Sequence, residues 1–431
     1  MSNFQLQRRR VSKLKKFLAI ILGAIFVLSF AASAFAIHAE IPSETQAVVA
    51  KGGTQITIDG ELRSRGWYEK NVAGAQGDPV STKSGAWYDQ RIRLAVDAKV
   101  TPNVEGYVQL ESGSGNTSDL VTWGNFNQKL GPMSILQAWI LYTGQGLFGF
   151  PAGLKIGHMP LALGERQFFD HTKFGDDAIV FFMDPTKELH VGLLAIKFVE
   201  GVKMDNQDDL DGYVGLAVYK WDPKNSVGLN FTYLKSNASG MKESDLGLHA
   251  AGNISGFTYK AEADFQFGDK AEGTKAKGYG LMAGVGFMVD PVGIRASAAY
   301  GSGDSDGTGE KQFDTFLGND QHYTLVYEYR VTSAAGAVNT GLSNTTYFNL
   351  GVDFAPTKDL KASLDGYYLR ASKTMGDQSK NVGWEADAKV VYNVAKNLTY
   401  QVDAGYFKTG GFYGDEKKNA TVLRHAITLS F

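Results

Sequence analysis

The chain of 431 residues contains no cysteine. That excludes disulfide staples, a thiol nucleophile and covalent haem attachment. Beyond an N-terminal leader it also lacks any run of ~18 apolar residues, so no later segment can cross a bilayer as a helix. Positive charge is in short supply: 43 Lys/Arg stand against 45 Asp/Glu, and Arg8, Arg9, Arg10, Lys13, Lys15 and Lys16 all lie at the extreme N-terminus. Without those six the net charge is −8, which argues against a nucleic-acid partner. The seven histidines, His38, His158, His171, His190, His249, His322 and His425, show no metal-ligand spacing, so neither a metal nor a cofactor is expected.

What is present begins with an export signal. The basic cluster precedes an uncharged apolar run, Phe17 to Ala31, and Ala34-Phe35-Ala36 supplies the small-x-small pattern of a cleavage site. We expect a signal peptide over 1–36, with Ala39 the next-best cleavage point, and a short periplasmic extension over 37–53. An oxidising periplasm would permit disulfides, so stability must come from elsewhere. A sheet closed on itself, with every backbone group paired, is one such source.

Glycine (51 residues) and aromatics (12 %) are abundant, yet mean hydropathy is slightly negative. Strict alternation reconciles these facts. Along 56–68, Ile56, Ile58, Gly60, Leu62, Gly66 and Tyr68 oppose Asp59, Glu61, Arg63, Arg65 and Trp67. In 257–267, Phe257, Tyr259, Ala261, Ala263, Phe265 and Phe267 oppose Thr258, Lys260, Glu262, Asp264 and Gln266. The pattern returns in 382–392 and 398–406. One sandwich could alternate in this way. Repetition along the chain, with Tyr, Phe or Trp at strand ends and Ala, Val, Leu or Gly between, suits a lipid-facing band with two aromatic girdles.

The connections also alternate. Short turns such as Thr101-Pro102-Asn103, Asp222-Pro223-Lys224-Asn225, Ser255-Gly256, Asp290-Pro291 and Pro356-Thr357-Lys358 carry turn chemistry. Longer polar segments lie between them, including 70–86, 113–133, 161–177, 236–243 and 302–344. Nineteen strand candidates can be counted, one of them 321–330. An odd number would put the termini on opposite sides. Reading 302–344 as one long outer loop, with 321–330 an extended piece inside it, gives about 18 strands. Sixteen stays open because the strands near 153–160 and 178–183 are short. The expected fold is all-β: a transmembrane antiparallel up-and-down barrel over 54–431.

The last strand ends in an aromatic residue, Phe431, with Leu423, Ile427 and Leu429 at even spacing before it. This resembles the C-terminal signature of outer-membrane barrels, read by the barrel-assembly machinery. Two further stretches, Leu154-Lys155-Ile156-Gly157-His158-Met159-Pro160-Leu161-Ala162-Leu163-Gly164 and Tyr347-Phe348-Asn349-Leu350-Gly351-Val352-Asp353-Phe354-Ala355-Pro356, are similar to strands of Gram-negative porins. The broad group is that of the 18-stranded substrate-channel porins and alginate-export-like barrels. The resemblance implies an outer-membrane porin giving passive diffusion to small hydrophilic solutes, anionic ones included. It also implies that loop 161–177 folds inward and narrows the pore, with Glu165, Arg166, Asp170, His171, Lys173, Asp176 and Asp177 as candidate constriction residues.

Parity assigns lumenal charges. Arg63, Arg65, Arg91, Arg93 and Arg424 lie on the first, second and last strands and form one basic arc when the barrel closes. Asp365, Glu385, Asp387 and Asp403 form an acidic arc beside it. Two readings stand: a column that attracts anions, or a salt-bridge network that stiffens the wall, since Asp59, Glu61 and Asp89 are close by. The acidic loops 205–212 and 304–307 lack EF-hand spacing and read as solvated. Competing functions are a barrel enzyme, for which Asp170-His171 is the only hint, a gated receptor, for which 37–53 is too short a plug, and the sheath of an export or electron-transfer complex. Expected partners are the outer-membrane lipid, the assembly machinery and small solutes. A homo-oligomer is compatible with the sequence.

Overall fold

The structure, a computed structural model, describes residues 53–72, 84–113, 121–124, 131–146, 149–202, 208–317, 322–331, 340–415 and 417–431. The leader and all of the extension but Gly53 lie outside the described residues.

Eighteen strands make the wall: β1 (Gln55–Lys70), β2 (Ser84–Thr101), β3 (Val104–Ser112), β4 (Met133–Gln145), β5 (Pro151–Met159), β6 (Asp176–Met183), β7 (Leu189–Val199), β8 (Leu210–Asp222), β9 (Asn225–Ser236), β10 (Met241–Ile254), β11 (Phe257–Ala271), β12 (Tyr279–Val289), β13 (Val292–Gly301), β14 (Thr345–Phe354), β15 (Leu360–Ala371), β16 (Asn381–Ala395), β17 (Leu398–Thr409) and β18 (Ala420–Ser430). Each pairs antiparallel with its sequence neighbour, and β18 pairs with β1 to close the barrel. Closure removes both sheet edges, so every strand has two partners without disulfides or helices. Beyond the β18 ladder, Phe431 exchanges two backbone hydrogen bonds with Gly60, and its ring lies where a Gly60 side chain would stand.

The faces are inverted relative to a soluble protein. On β14, Phe348 and Leu350 are 55 % and 62 % exposed, whereas inward Thr345, Tyr347 and Asn349 are buried. Exposed apolar side chains around a closed barrel place it in a membrane. Outward aromatics sit at strand ends: Tyr142, Trp221, Phe257, Phe287 and Phe354 at the short-turn end, Tyr213, Phe267, Tyr279 and Trp384 at the other.

Short connections alternate with long ones as the sequence suggests. Ser255-Gly256 takes positive φ at both positions (52° and 88°), the requirement of a two-residue hairpin that follows strand twist. Two expectations change. Segment 236–243 is no long loop: β9 and β10 run nearly to its centre, leaving only Asn237–Gly240 as the turn. Segment 321–330 is not extended. Over its described part it is a tight turn, with Val331 N–H donating to Tyr327 O and Glu328 N–H to Thr324 Oγ1. Its backbone finds carboxylates rather than a neighbouring strand, so its apolar residues serve a buried turn.

The apolar core lies inside the barrel. Loop 160–175 contributes Leu163, Phe168 and Phe169, and loop 302–344 contributes Phe313, Val326, Tyr327 and Leu342, all buried. The two loops touch through a short parallel pairing, Phe169–Asp170 against Phe316–Leu317.

Candidate functional site: the charged lumen

The basic arc assembles on three neighbouring strands. Arg63 stands directly across from Arg91, Arg65 from Asp89, and Glu61 from Arg93. On the other side of β1, Trp67 faces Arg424. Carboxylates are interleaved throughout. Arg65 donates Nε and Nη2 to Asp89 at 2.8 and 3.2 Å, and Trp67 Nε1 donates to the same carboxylate at 2.6 Å. Arg91 binds Glu61 at 2.6 Å, Arg93 binds Glu111, and Arg424 binds Asp403 at 2.8 Å. The guanidinium carbons of Arg65, Arg424 and Arg330 lie 4.8, 5.1 and 4.7 Å from the Trp67 ring centre. Arg330 comes from loop 302–344 and is ion-paired to Glu69.

The acidic arc divides in two. Glu385 accepts the Val326 and Tyr327 N–H groups at 2.5 and 2.9 Å, and Asp387 accepts Leu325 N–H at 3.0 Å. Asp365 instead takes both Nη atoms of Arg295, at 2.6 and 2.7 Å. Arg295 also holds Asp353 at 2.9 Å, and its guanidinium lies over Gly351, where a side chain would block it. Arg295 was absent from the sequence-derived basic arc, although the alternation of β13 already placed it inward.

Loop 160–175 enters the lumen. Asp170 is buried and accepts Thr172 N–H and Oγ1–H at 2.9 and 2.6 Å, with Arg166 at 3.6 Å. His171 pairs with Asp176 at 2.8 Å. Lys173 sits with its ammonium 5.0 Å from the Phe174 ring, and Glu165 lines a cavity of about 640 Å³. Asp177 needs correction. It and Asp176 are adjacent on β6, so parity allows only one to face inward, and Asp177 is exposed on the outer wall beside His158 at 2.9 Å.

His322 joins the two loops, a role with no sequence signature. Its Nε2 is 3.3 Å from Asp170 Oδ2 and its Nδ1 is 3.2 Å from Glu328 Oε1. Glu328 also accepts the His322 and Tyr323 N–H groups, at 2.6 and 3.0 Å. Burial alone would lower the imidazole pKa, but the two carboxylates outweigh it and push it up to about 9. Burial acts against the Asp170 carboxylate too, and hydrogen bonds from His322 and Thr172 still hold it well below the usual range. Glu328 is raised, because burial there outweighs its donors.

Below this latch the lumen opens into two adjoining cavities, of about 640 and 400 Å³, which share His322, Tyr323 and Tyr367. The first also holds Lys260, Arg295 and Tyr347, and the second Asp387, Lys389 and Arg424.

An eighteen-stranded barrel with an apolar exterior, a charged lumen and two inward loops is an outer-membrane channel barrel of the Gram-negative type. The alginate-export family profile matches residues 87–426, and the chain belongs to that family. Similar solved structures include Pseudomonas aeruginosa OpdL (TM-score 0.59, 9 % identity) and OccK5 (OpdH) (0.58, 11 %), with 87 % of this chain and 98 % of each of those covered. OpdK of the same organism, solved with vanillate, gives 0.56 and 11 % over the same shares. At such identities the likeness is one of fold. No curated protein matches the chain in sequence.

Proposed function

We propose that this protein is a passive porin whose lumen conducts small hydrophilic solutes, with carboxylate-bearing solutes guided along Arg63, Arg65, Arg91, Arg93 and Arg424. The carrying observation is the clustering of these arginines on the three neighbouring strands β1, β2 and β18, with Arg65 and Arg424 against Trp67. Guanidinium stays charged at every physiological pH, and charges inside a narrow low-dielectric pore are screened less than surface charges. Their carboxylate partners hold the guanidiniums in fixed positions, so the field runs across the pore rather than being uniformly positive. Loop residues Glu165, Arg166, Asp170, His171, Lys173 and Asp176 form the narrowing past which solutes move. An enzymatic role has less support: His171 is paired with Asp176, and the neighbouring Thr172 hydroxyl is committed to Asp170. Replacing Arg63, Arg91 and Arg93 with Gln, while leaving Arg65 on buried Asp89, should shift the reversal potential toward cations. It should also slow flux of a small carboxylate more than flux of a neutral solute of equal size. Equal slowing of both solutes would show that the arginines only brace the wall.

We further propose that Leu423, Ile427, Leu429 and Phe431 form the strand edge read by the assembly machinery. Leu423 and Ile427 point outward, and Phe431 locks onto Gly60. Deleting Phe431 removes the last two backbone bonds of the β1–β18 seam and the ring over Gly60. The heat-modifiable folded form in outer-membrane fractions should then fall sharply. Wild-type levels of that form would rule the assignment out.

A further inference from the structure

The wall opposite the arginine arc carries a second charged cluster. On β9, β10 and β11, three cross-strand rows face the lumen: Leu234 beside Glu243, then Thr232, Asp245 and Gln266, then Asn230, Gly247 and Asp264. Glu262 follows one step further along β11. Asn230, Thr232, Asp245 and Asp264 are each at most 2 % exposed, and Glu243 and Glu262 are also buried.

The protein leaves this cluster unsatisfied. Both oxygens of Asp245, Glu243 Oε1, both polar atoms of the Asn230 amide and Thr232 Oγ1 have no hydrogen-bond partner, and Asp264 meets only the carboxyl of Glu262. The Asn230 amide lies across Gly247, on the row that ends at Asp264: a side chain at Gly247 would fall 2.4 Å from its Nδ2. Nearby Lys270 is committed to Asp314 at 2.5 Å. Gln266 exchanges two hydrogen bonds with the Asp314 backbone, and Glu262 accepts Gln167 N–H at 3.3 Å. Loops 302–344 and 160–175 therefore cover the cluster without neutralising it.

Adjacent carboxyl groups out of water need a counter-charge or a proton. We propose that Asp245 and Asp264, with Asn230 and Thr232, bind a divalent metal cation of the Mg²⁺ or Ca²⁺ type together with part of its water shell. The side chains on the Asp245 and Asp264 rows offer oxygen and amide donors, the set that suits hard cations, while the His249 imidazole, one row further on, lies over Gly228. Among the described residues no three acidic or histidine side chains converge on one point, so water completes the contacts, as Mg²⁺ in particular favours. Bound water donates to the carboxylates and accepts from the Asn230 amide, answering both kinds of orphan atom.

The test uses the full chain refolded in detergent free of lipopolysaccharide and stripped with EDTA. Unfolding temperature is then measured against MgCl₂ and CaCl₂, with KCl at matched ionic strength and at fixed pH. The wild type should show a saturable upward shift with at least one divalent ion and none with KCl. D245N/D264N, which no longer needs a counter-charge, should fold without the ion and lose the shift. Three results overturn the site: no divalent shift in the wild type, an equal shift in D245N/D264N, or stability that follows pH alone.

Discussion

Replacing residues 322–331 by a short flexible link should raise single-channel conductance several-fold. This segment stands in the lumen and is held there by the wall. Three consecutive N–H groups, of Leu325, Val326 and Tyr327, donate to Asp387 and Glu385, and Arg330 binds Glu69. Each hydrogen bond contributes about 0.5–1.5 kcal/mol, and buried Val326 and Tyr327 add apolar packing. The turn is therefore an anchored obstruction. Planar-bilayer recording of the excised protein gives the test. The milder E385A/D387A variant should keep the segment but loosen it, giving frequent transitions between the wild-type and the larger conductance. If excision leaves conductance unchanged, ions bypass the segment and it has no part in limiting flow.

The largest pH response should come from the latch at His322. With its pKa raised from 6.5 to about 9, the imidazolium's contribution is complete below the unfolded pKa and is lost as pH rises through about 9. Glu328, also raised, loses its contribution in the same direction, as pH rises from the ordinary carboxylate range. Asp170 is depressed, so its contribution fails only in strong acid. The charged groups facing His322 are Asp170, with Arg166 beside it, and Glu328. Tyr323, raised further above 10 by burial, stays protonated across this window. Going from neutral pH to about pH 10 should therefore free loop 160–175 from loop 302–344. Open-channel noise and protease cleavage within 160–175 should both rise. In His322→Gln the noise should be high already at neutral pH and almost flat with pH, because buried Asp170 and Glu328 then lack their shared cation. Breaking a buried pair in this way costs roughly 3–5 kcal/mol. A His322→Gln channel as quiet as the wild type at neutral pH would show that the apolar contacts of Phe169 with Phe316 hold the loops without help.

The two results are separable. Excision changes the size of the open state, whereas the latch changes how long the loops stay docked.

What the sequence determined alone is the wall. Period-two alternation fixes which side chains meet lipid, and the short turns at Pro102, Pro223, Ser255 and Asp290 fix the hairpins. Both are local properties, so Arg63, Arg65, Arg91, Arg93 and Arg424 could be placed inside; Asp177, expected in the constriction loop, lies instead on the outer wall because β6 starts one residue before it. The contents of the lumen were decided only by the tertiary structure. Residues 322–331 alternate like a strand, yet they turn, because Glu385 and Asp387, more than fifty residues away, take the N–H groups a strand partner would have taken. No periodicity reports such a contact. For the same reason the acidic arc, expected to face solutes, is in part an anchor. His322, Arg295 and the unsatisfied carboxylates of β10 and β11 owe their environments to loops that cross the barrel, and loop closure leaves no repeating mark in a sequence.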